Sequence, residues 1–355
     1  KRTRGNDWVY YFSGGYTSLF DSLGEYYLPC LPYPSNSLWN RDPFQENQVR
    51  QGIEQALDRI PDRLNRIAAA NRLDPATRSF LEGIGTQGPK RLREKARTLF
   101  SVLQARVTVL PPDSRHVDYE VLPLIIADGC LYQCGFCRIK TGRAFAPRSR
   151  KAILEQIAGI KALLGPEIRN YSSLFLGQHD ALNCSPDLIE FAACQAYQGF
   201  GFADSFLRDP CLFFFGSADS FLNCPDSLFR RLQGLPYKTY INLGLESVDQ
   251  ATLDLLQKPL EARKAKAAFQ RSLEINREFS DIEITVNFVL NHGLPENNWT
   301  SLQDLTRAGL KHYYPKGAVY LSPLSRSNKQ KQLRVFQKMK RLSRLPMYLY
   351  LIQRL

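Results

Sequence analysis

The stretch GCLYQCGFCRIK, residues 129–140, decides how the rest of the chain is read. It holds Cys130, Cys134 and Cys137, with three and then two residues between successive cysteines. Two metal chemistries use thiolates this close together. A structural zinc takes four ligands, commonly supplied as CxxC pairs or as CxxC followed by histidines. A cubic [4Fe-4S] cluster also presents four irons, so three thiolates leave one iron open to a further ligand. No fourth cysteine or histidine follows nearby, and the neighbouring sequence has to separate the two chemistries.

Working outward, the motif directly follows EVLPLIIA (120–127), an apolar run that reads as a strand. Five more such runs come after it: SSLFLG (172–177), CLFFFG (211–216), TYINLG (239–244), IEITVNFVL (282–290) and AVYLS (318–322). Helical stretches lie between them, one with Ile153, Ile157, Ile160 and Leu164 on one face and another opening at Ser185-Pro186. Strand–helix repetition implies parallel pairing with right-handed crossovers. The predicted fold is therefore α/β, a partial (β/α)6 barrel with an N-terminal helical extension and a basic C-terminal helix. Barrels carry their sites at the carboxyl ends of the strands, which is where the three cysteines fall.

Two of the repeating units resemble each other. LGQHDALNCSPDLI after the second strand and FGSADSFLNCPDSLF after the third both run Gly-x-x-Asp-small, then Leu-Asn-Cys and a proline-started helix. Their cysteines, Cys184 and Cys224, face the same end, although unpaired cysteines mostly act as small buried hydrophobes; Cys30, Cys194 and Cys211 read as core. In the fifth strand Glu283, Thr285 and Asn287 alternate with Ile282, Ile284, Val286 and Phe288. A strand buried on both faces is normally apolar throughout, so this pattern predicts a lumen that holds a ligand.

The flanks are organised differently. Residues 1–43 are rich in Tyr, Gly, Pro and Ser, and read as an irregular segment. From 44 to 118 the period turns helical, with Val49, Ile53, Leu57 and Ile60 on one face, Leu92, Leu99 and Leu103 on another, an N-cap at Asp74-Pro75, and PPDSR (111–115) as a linker. The barrel is expected over 119–325 and the basic helix over 326–355. The net charge is +13, and after Asp304 the chain has twelve Lys and Arg and no acidic residue, so the positive balance is concentrated in its end. No run of eighteen apolar residues suggests a membrane span. Eight cysteines among 355 residues, three of them in one motif, fit a reducing compartment rather than a disulfide scaffold, so a cytoplasmic protein is expected.

These residues together resemble the radical S-adenosylmethionine (radical SAM) superfamily. Cys130-x-x-x-Cys134-x-Phe136-Cys137 closes the first strand, and GQHD (177–180) stands where members carry a Gly-Gly-Glu-type motif. INLGLESVDQATLDLLQK (241–258) is similar to the Gly-Leu-Glu-Ser segment of the branch with oxygen-independent coproporphyrinogen oxidases and several RNA-modifying members. FVLNHGLPE (288–296) is similar to the adenine-contacting end of the fifth strand. The resemblance implies that Cys130, Cys134 and Cys137 hold a [4Fe-4S] cluster whose open iron is chelated by S-adenosyl-L-methionine. Reductive cleavage would give a 5′-deoxyadenosyl radical that takes hydrogen from an unidentified substrate. It further implies that Phe136 packs near the cofactor, that Asp180 or His179 on the Gly177 loop holds the methionine ammonium, that Glu246 and Ser247 face the ribose or carboxylate, and that Val289 faces the adenine. A one-electron reductant of the flavodoxin or ferredoxin kind is the implied partner. No Asp-x-His-x-x-Gly segment precedes the barrel, so a cobalamin domain of the usual pattern is not expected.

Two function classes follow: a radical SAM enzyme, oxidoreductase or transferase, and a cluster- or zinc-stabilised binding module that no longer turns over. GQHD, GLES and a polar-lined fifth strand kept together favour the enzyme. The basic end adds an expected anionic partner, a membrane surface or RNA, against the plainer reading of a helix that covers the last strand. His116 and His312 read as surface or structural, and His292 lies in the loop after the fifth strand.

Overall fold

All six apolar runs form strands, and all six join one sheet in parallel. The structure, a computed structural model, describes residues 26–28, 47–70, 73–85, 89–105, 110–117, 121–137, 142–291, 293–324 and 329–351. Cys30, His292, Arg326 and nearly all of residues 1–43 lie outside the described residues. The strands in chain order are β1 (Tyr26–Leu28), β2 (Val121–Ile125), β3 (Ala127–Asp128), β4 (Ala146–Pro147), β5 (Ser173–Gly177), β6 (Cys211–Ser217), β7 (Lys238–Glu246), β8 (Ile282–Leu290), β9 (Val319–Pro323) and β10 (Met347–Leu351). The main sheet runs β1-β10-β9-β8-β7-β6-β5-β2, with β1 antiparallel and the rest parallel; β3 and β4 form a separate antiparallel ribbon. Its terminal strands β1 and β2 are not paired with each other among the described residues, so the barrel is partial, as predicted.

The sheet has one more parallel strand than expected. The described part of 326–355 is not a helix alone: the helix Lys329–Leu342 is followed by β10, whose Met347 lies opposite Val319 of β9. The helix buries Phe336 and Met339, and β10 buries Met347, Leu349 and Tyr350. Pro346 ends the helical pattern, and its carbonyl accepts from the Val319 N–H at 2.9 Å, which starts the pairing. The apolar, tyrosine-bearing stretch Met347–Leu351 is therefore part of the sheet.

The helices are α1 (Asn47–Ala70), α2 (Pro75–Gly85), α3 (Pro89–Leu103), α4 (Arg150–Leu164), α5 (Pro186–Phe200), α6 (Ala218–Asn223), α7 (Asp226–Gln233), α8 (Gln250–Leu255), α9 (Ala262–Glu278), α10 (Glu296–Gln303) and α11 (Lys329–Leu342). Local signals set many of their starts. Asp74 accepts from the N–H groups of Ala76 and Thr77, both at 3.0 Å, and Ser185 accepts from the Leu188 N–H ahead of Pro186. Ile153, Ile157 and Ile160 of α4 are buried, as their spacing predicts. In the helical extension Leu99 and Leu103 join the barrel core, whereas Ile60 of α1 is 40% exposed.

Residues 111–115 are not a linker. Pro111, Pro112 and Asp113 are buried, and the segment plugs the barrel from the amino-terminal halves of its strands. Asp113 accepts from the Thr285 hydroxyl at 2.6 Å and the Tyr320 hydroxyl at 2.7 Å. Arg115 donates to the Tyr320 hydroxyl at 2.8 Å, and the His116 ring stacks on Tyr240 at 4.6 Å. Asn242 continues the chain, donating to Thr285 and accepting from Asn287. The polar face of the fifth predicted strand thus serves the protein's own plug over part of its length. Glu283 is likewise taken, accepting from the Gly317 N–H at 3.0 Å.

Candidate metal and cofactor site

The three cysteines sit on a loop whose path is fixed at both ends. Before it, the β3–β4 ribbon is clamped by Arg148, which donates to both Asp128 oxygens at 2.7 and 2.8 Å and to the Leu103 carbonyl at 2.6 Å. Gly129 then takes φ = 74°, the left-handed region, and a Cβ there would overlap the Ala144 carbonyl. Both facts require glycine. Gly129→Ala is expected to cost at least about 2 kcal/mol, from backbone strain and overpacking together. The measurement is the denaturant midpoint against the parent; an unchanged midpoint means that the loop relaxes without cost.

Further along, the Gly135 N–H donates to the Gln257 carbonyl at 3.2 Å, and a Cβ on Gly135 would strike the Gln257 side chain. The cysteine loop is thereby docked on the turn after α8. Cys134 is buried, and Cys130 and Cys137 are half-buried. Burial is the main cause that pushes the Cys130 thiol up to about 11, with Asp180 and Cys134 adding to it and Lys258 opposing it. The Cys134 thiol is raised as well, again mainly by burial, with Lys258 opposing and Glu246 and Cys137 adding.

Lys258 is the centre of charge in this region. Its side chain is 4% exposed, it lies 3.8 Å from Glu246 Oε1, and its ammonium sits 5.0 Å from the Tyr132 ring centroid. Glu246 reaches it because the strand bulges between Gly244 and Glu246, and Glu246 itself takes φ = 65°. A bulge re-aims a side chain in this way. Burial raises the Glu246 carboxyl, and Lys258 pulls it back. Tyr132 donates from its hydroxyl to Asp219 at 2.5 Å, and Lys264 meets the other Asp219 oxygen at 2.8 Å. Lys258, Tyr132 and Asp219 were not singled out from the sequence. Lys258 closes the GLES segment and Asp219 occupies the Gly-x-x-Asp position of the second repeat, so the signal for both was the motif itself.

The remaining predicted residues divide into two groups. Phe136 and Val289 come together: Val289, Leu256 and Leu294 form a small apolar cluster with Phe136, Trp299 and Leu324 packed against it. Asp180 and Ser247 are already engaged by the protein. Asp180 is 1% exposed and accepts from the Ser217 N–H at 2.8 Å and the Ser220 hydroxyl at 2.9 Å, joining the two repeated loops. Burial raises its carboxyl, and these donors counter the effect. Ser247 is fully buried, donates to Asn298 Oδ1 at 2.6 Å and accepts from the Asp249 N–H at 3.0 Å. Gly177 is a packing position, since a Cβ there would meet Ile125 Cδ1 at 2.6 Å; His179 is half-buried on the same loop. Cys184 and Cys224 are buried, and burial pushes their thiols up to about 12 and about 11. Cys211 is buried too, as expected for a core position, and Cys194 is half-buried.

The donor set offered by the loop is three thiols, the number a [4Fe-4S] cluster with one open iron takes and one short of a closed zinc site. Among the described residues no three His, Cys, Asp or Glu side chains converge as a metal-holding group. The three thiols lie in one loop, Cys134 buried and Cys130 and Cys137 half-buried. A buried cation faces them, which suits a thiolate-rich group carrying net negative charge. Among the described residues no helix is long and apolar enough to cross a membrane.

No protein-family profile matches the chain, and no curated protein matches it. Among solved structures, the apo, selenomethionine-labelled form of OxsB, a cobalamin-dependent S-adenosylmethionine radical enzyme, is similar to it with a TM-score of 0.38. The two are 14% identical, and the match covers 62% of this chain and 30% of that one.

Proposed function

We propose that this protein is a radical SAM enzyme. The observation that carries the reading is convergence: four separated stretches meet at the carboxyl ends of β2, β5, β7 and β8. The charges of Asp180 and Lys258 bear on the Cys130 thiol and those of Glu246 and Lys258 on the Cys134 thiol, and Phe136 shares an apolar cluster with Val289. Cys130, Cys134 and Cys137 would hold a [4Fe-4S] cluster. When bound, that cluster and S-adenosyl-L-methionine supply one-electron cleavage of a sulfonium and hence a carbon radical. The chain's own groups have simpler tasks. Phe136 and Val289 offer an apolar wall for an adenine, Lys258 and Glu246 present paired charges beside the thiols, and His179 and Asp180 line the neighbouring loop. The electron would come from a flavodoxin- or ferredoxin-like donor. The substrate is unidentified, because a fold and a cofactor do not specify it.

The test is product release. With S-adenosyl-L-methionine and a strong one-electron reductant under anaerobic conditions, the reconstituted protein is expected to release 5′-deoxyadenosine slowly even without substrate. The variant lacking all three motif cysteines is expected to release none. A protein that loads iron but yields no 5′-deoxyadenosine is the non-catalytic binding module instead.

A further inference from the structure

Among the described residues, two sets of cations near the end of the chain stand apart once the helix is placed. One set is turned inward and serves the fold. Lys340 donates to the Met347 carbonyl at 3.1 Å and lies 5.5 Å from the Tyr348 ring centroid; Arg344 donates to the Leu310 carbonyl; Lys316 donates to the Ser280 carbonyl at 3.0 Å. The other set is Lys331, Arg334, Lys338 and Arg341 of α11, all in exposed positions. At 100° and 1.5 Å per residue these four lie within an arc of about 80° along roughly 15 Å of one helix face. The helix contains no acidic residue, and within 304–351 Asp304 is the single carboxylate.

A second feature lies at the C-terminal end of this stripe. The loop Lys311–Lys316 docks there, with the Tyr314 N–H donating to the Arg344 carbonyl at 2.9 Å and the Arg344 N–H to the Thr306 carbonyl at 2.8 Å. It presents exposed Lys311 and a His312 ring stacked on Tyr314 at 4.5 Å. Tyr313 is 61% exposed, the conspicuous large apolar side chain of this region. A line of cations ending at exposed aromatic rings matches what a single nucleic-acid strand requires, phosphates along a charged track and bases on π-faces.

We propose that the outer face of α11 and the Lys311–Lys316 loop form a docking surface for single-stranded RNA. The structure weakens the argument for a membrane, since Met347, Leu349 and Tyr350, apolar residues beyond the helix, are buried in β10. RNA is favoured over DNA because unpaired segments with accessible bases are its ordinary condition. The surface shares no residue with the cysteine loop, so the inference does not rest on the cofactor reading.

The experiment uses the full chain and a fluorescently labelled oligouridylate, with binding followed by anisotropy between 50 and 300 mM salt. The parent is expected to bind with a strongly salt-dependent affinity. K331Q/R334Q/K338Q/R341Q should lower the log–log salt slope by about 3, at roughly 0.7 per phosphate for a single strand. The milder K338Q/R341Q should lose about half of that, which keeps the test decisive if the fourfold variant fails to fold. Tyr313→Ala should weaken binding about five- to a hundred-fold with the slope unchanged, the signature of lost stacking. Absence of binding by the parent overturns the proposal. So do unchanged slopes in the folded variants, equal or tighter binding of oligothymidylate, or binding of phosphatidylserine vesicles in place of RNA.

Discussion

Anaerobic reconstitution with iron and sulfide is expected to give a brown protein with about four irons per chain, the content of one cubane. Replacing Cys130, Cys134 and Cys137 together by alanine should bring iron and visible absorbance to background. The effect is complete rather than graded because three thiols are the entire protein ligand set in this loop, and the loop has a fixed path between Gly129 and Gly135. A single replacement leaves two thiolates and should give a substoichiometric, easily bleached centre. The opposite outcome is a protein that carries stoichiometric zinc and takes up no iron, and it would retire the radical SAM reading. The loop is docked on Gln257, next in sequence to Lys258, so loss of the cluster is also expected to be felt at the turn that carries Lys258.

The second large effect lies far from the cysteines. Asp113 is wholly buried, and two hydroxyls depend on it as acceptor. At pH 5, Asp113→Ala is expected to lose about 2–5 kcal/mol, because the Thr285 and Tyr320 hydroxyls are left in a dry interior. The same carboxyl imposes a pH dependence. Burial, partly opposed by Thr285, Tyr320 and Arg115, raises it to about 7 from an ordinary value of 3.8. The native state therefore holds this proton more tightly than the unfolded chain does. Its stabilising contribution is complete below about pH 4 and is lost as pH rises through 7, by roughly 4 kcal/mol for three units. Denaturant titrations of the parent and Asp113→Asn from pH 4 to 8 isolate the effect, since other buried carboxylates cancel in the difference. Asp113→Asn should show a flatter profile and overtake the parent above about pH 7. Parallel profiles would mean that the carboxyl titrates alike in both states.

Much of this architecture is legible in a single sequence because the signals are local. A buried strand between helices announces itself as an apolar run bounded by turn residues, and the six predicted runs match β2, β5, β6, β7, β8 and β9 within one or two residues at each end. Caps are equally local, and Asp74 and Ser185 do what their sequence neighbours require of them. The cysteine loop could be placed at the carboxyl end of the first barrel strand for the same reason. β10 was missed because a short alternating run after a basic helix carries no mark of the neighbour it pairs with, and that pairing is what turns it into a strand.

The sequence by itself determined the parallel α/β order, the three-thiol loop and the end of the sheet where it lies, since each follows from periodicity within a few residues. Only the tertiary structure decided which polar groups are available to a ligand. Thr285 looks like a lumen residue until Asp113 arrives from 172 positions away to take its hydroxyl, and only the fold shows that Asp180 joins the two repeated loops through Ser217 and Ser220. Lys258 reads as one more lysine until a bulge at Glu246 and the ring of Tyr132 enclose it beside the thiols. The physical reason is the same in each case. A buried polar group must be satisfied, and the partner that satisfies it is chosen by the fold rather than by proximity along the chain.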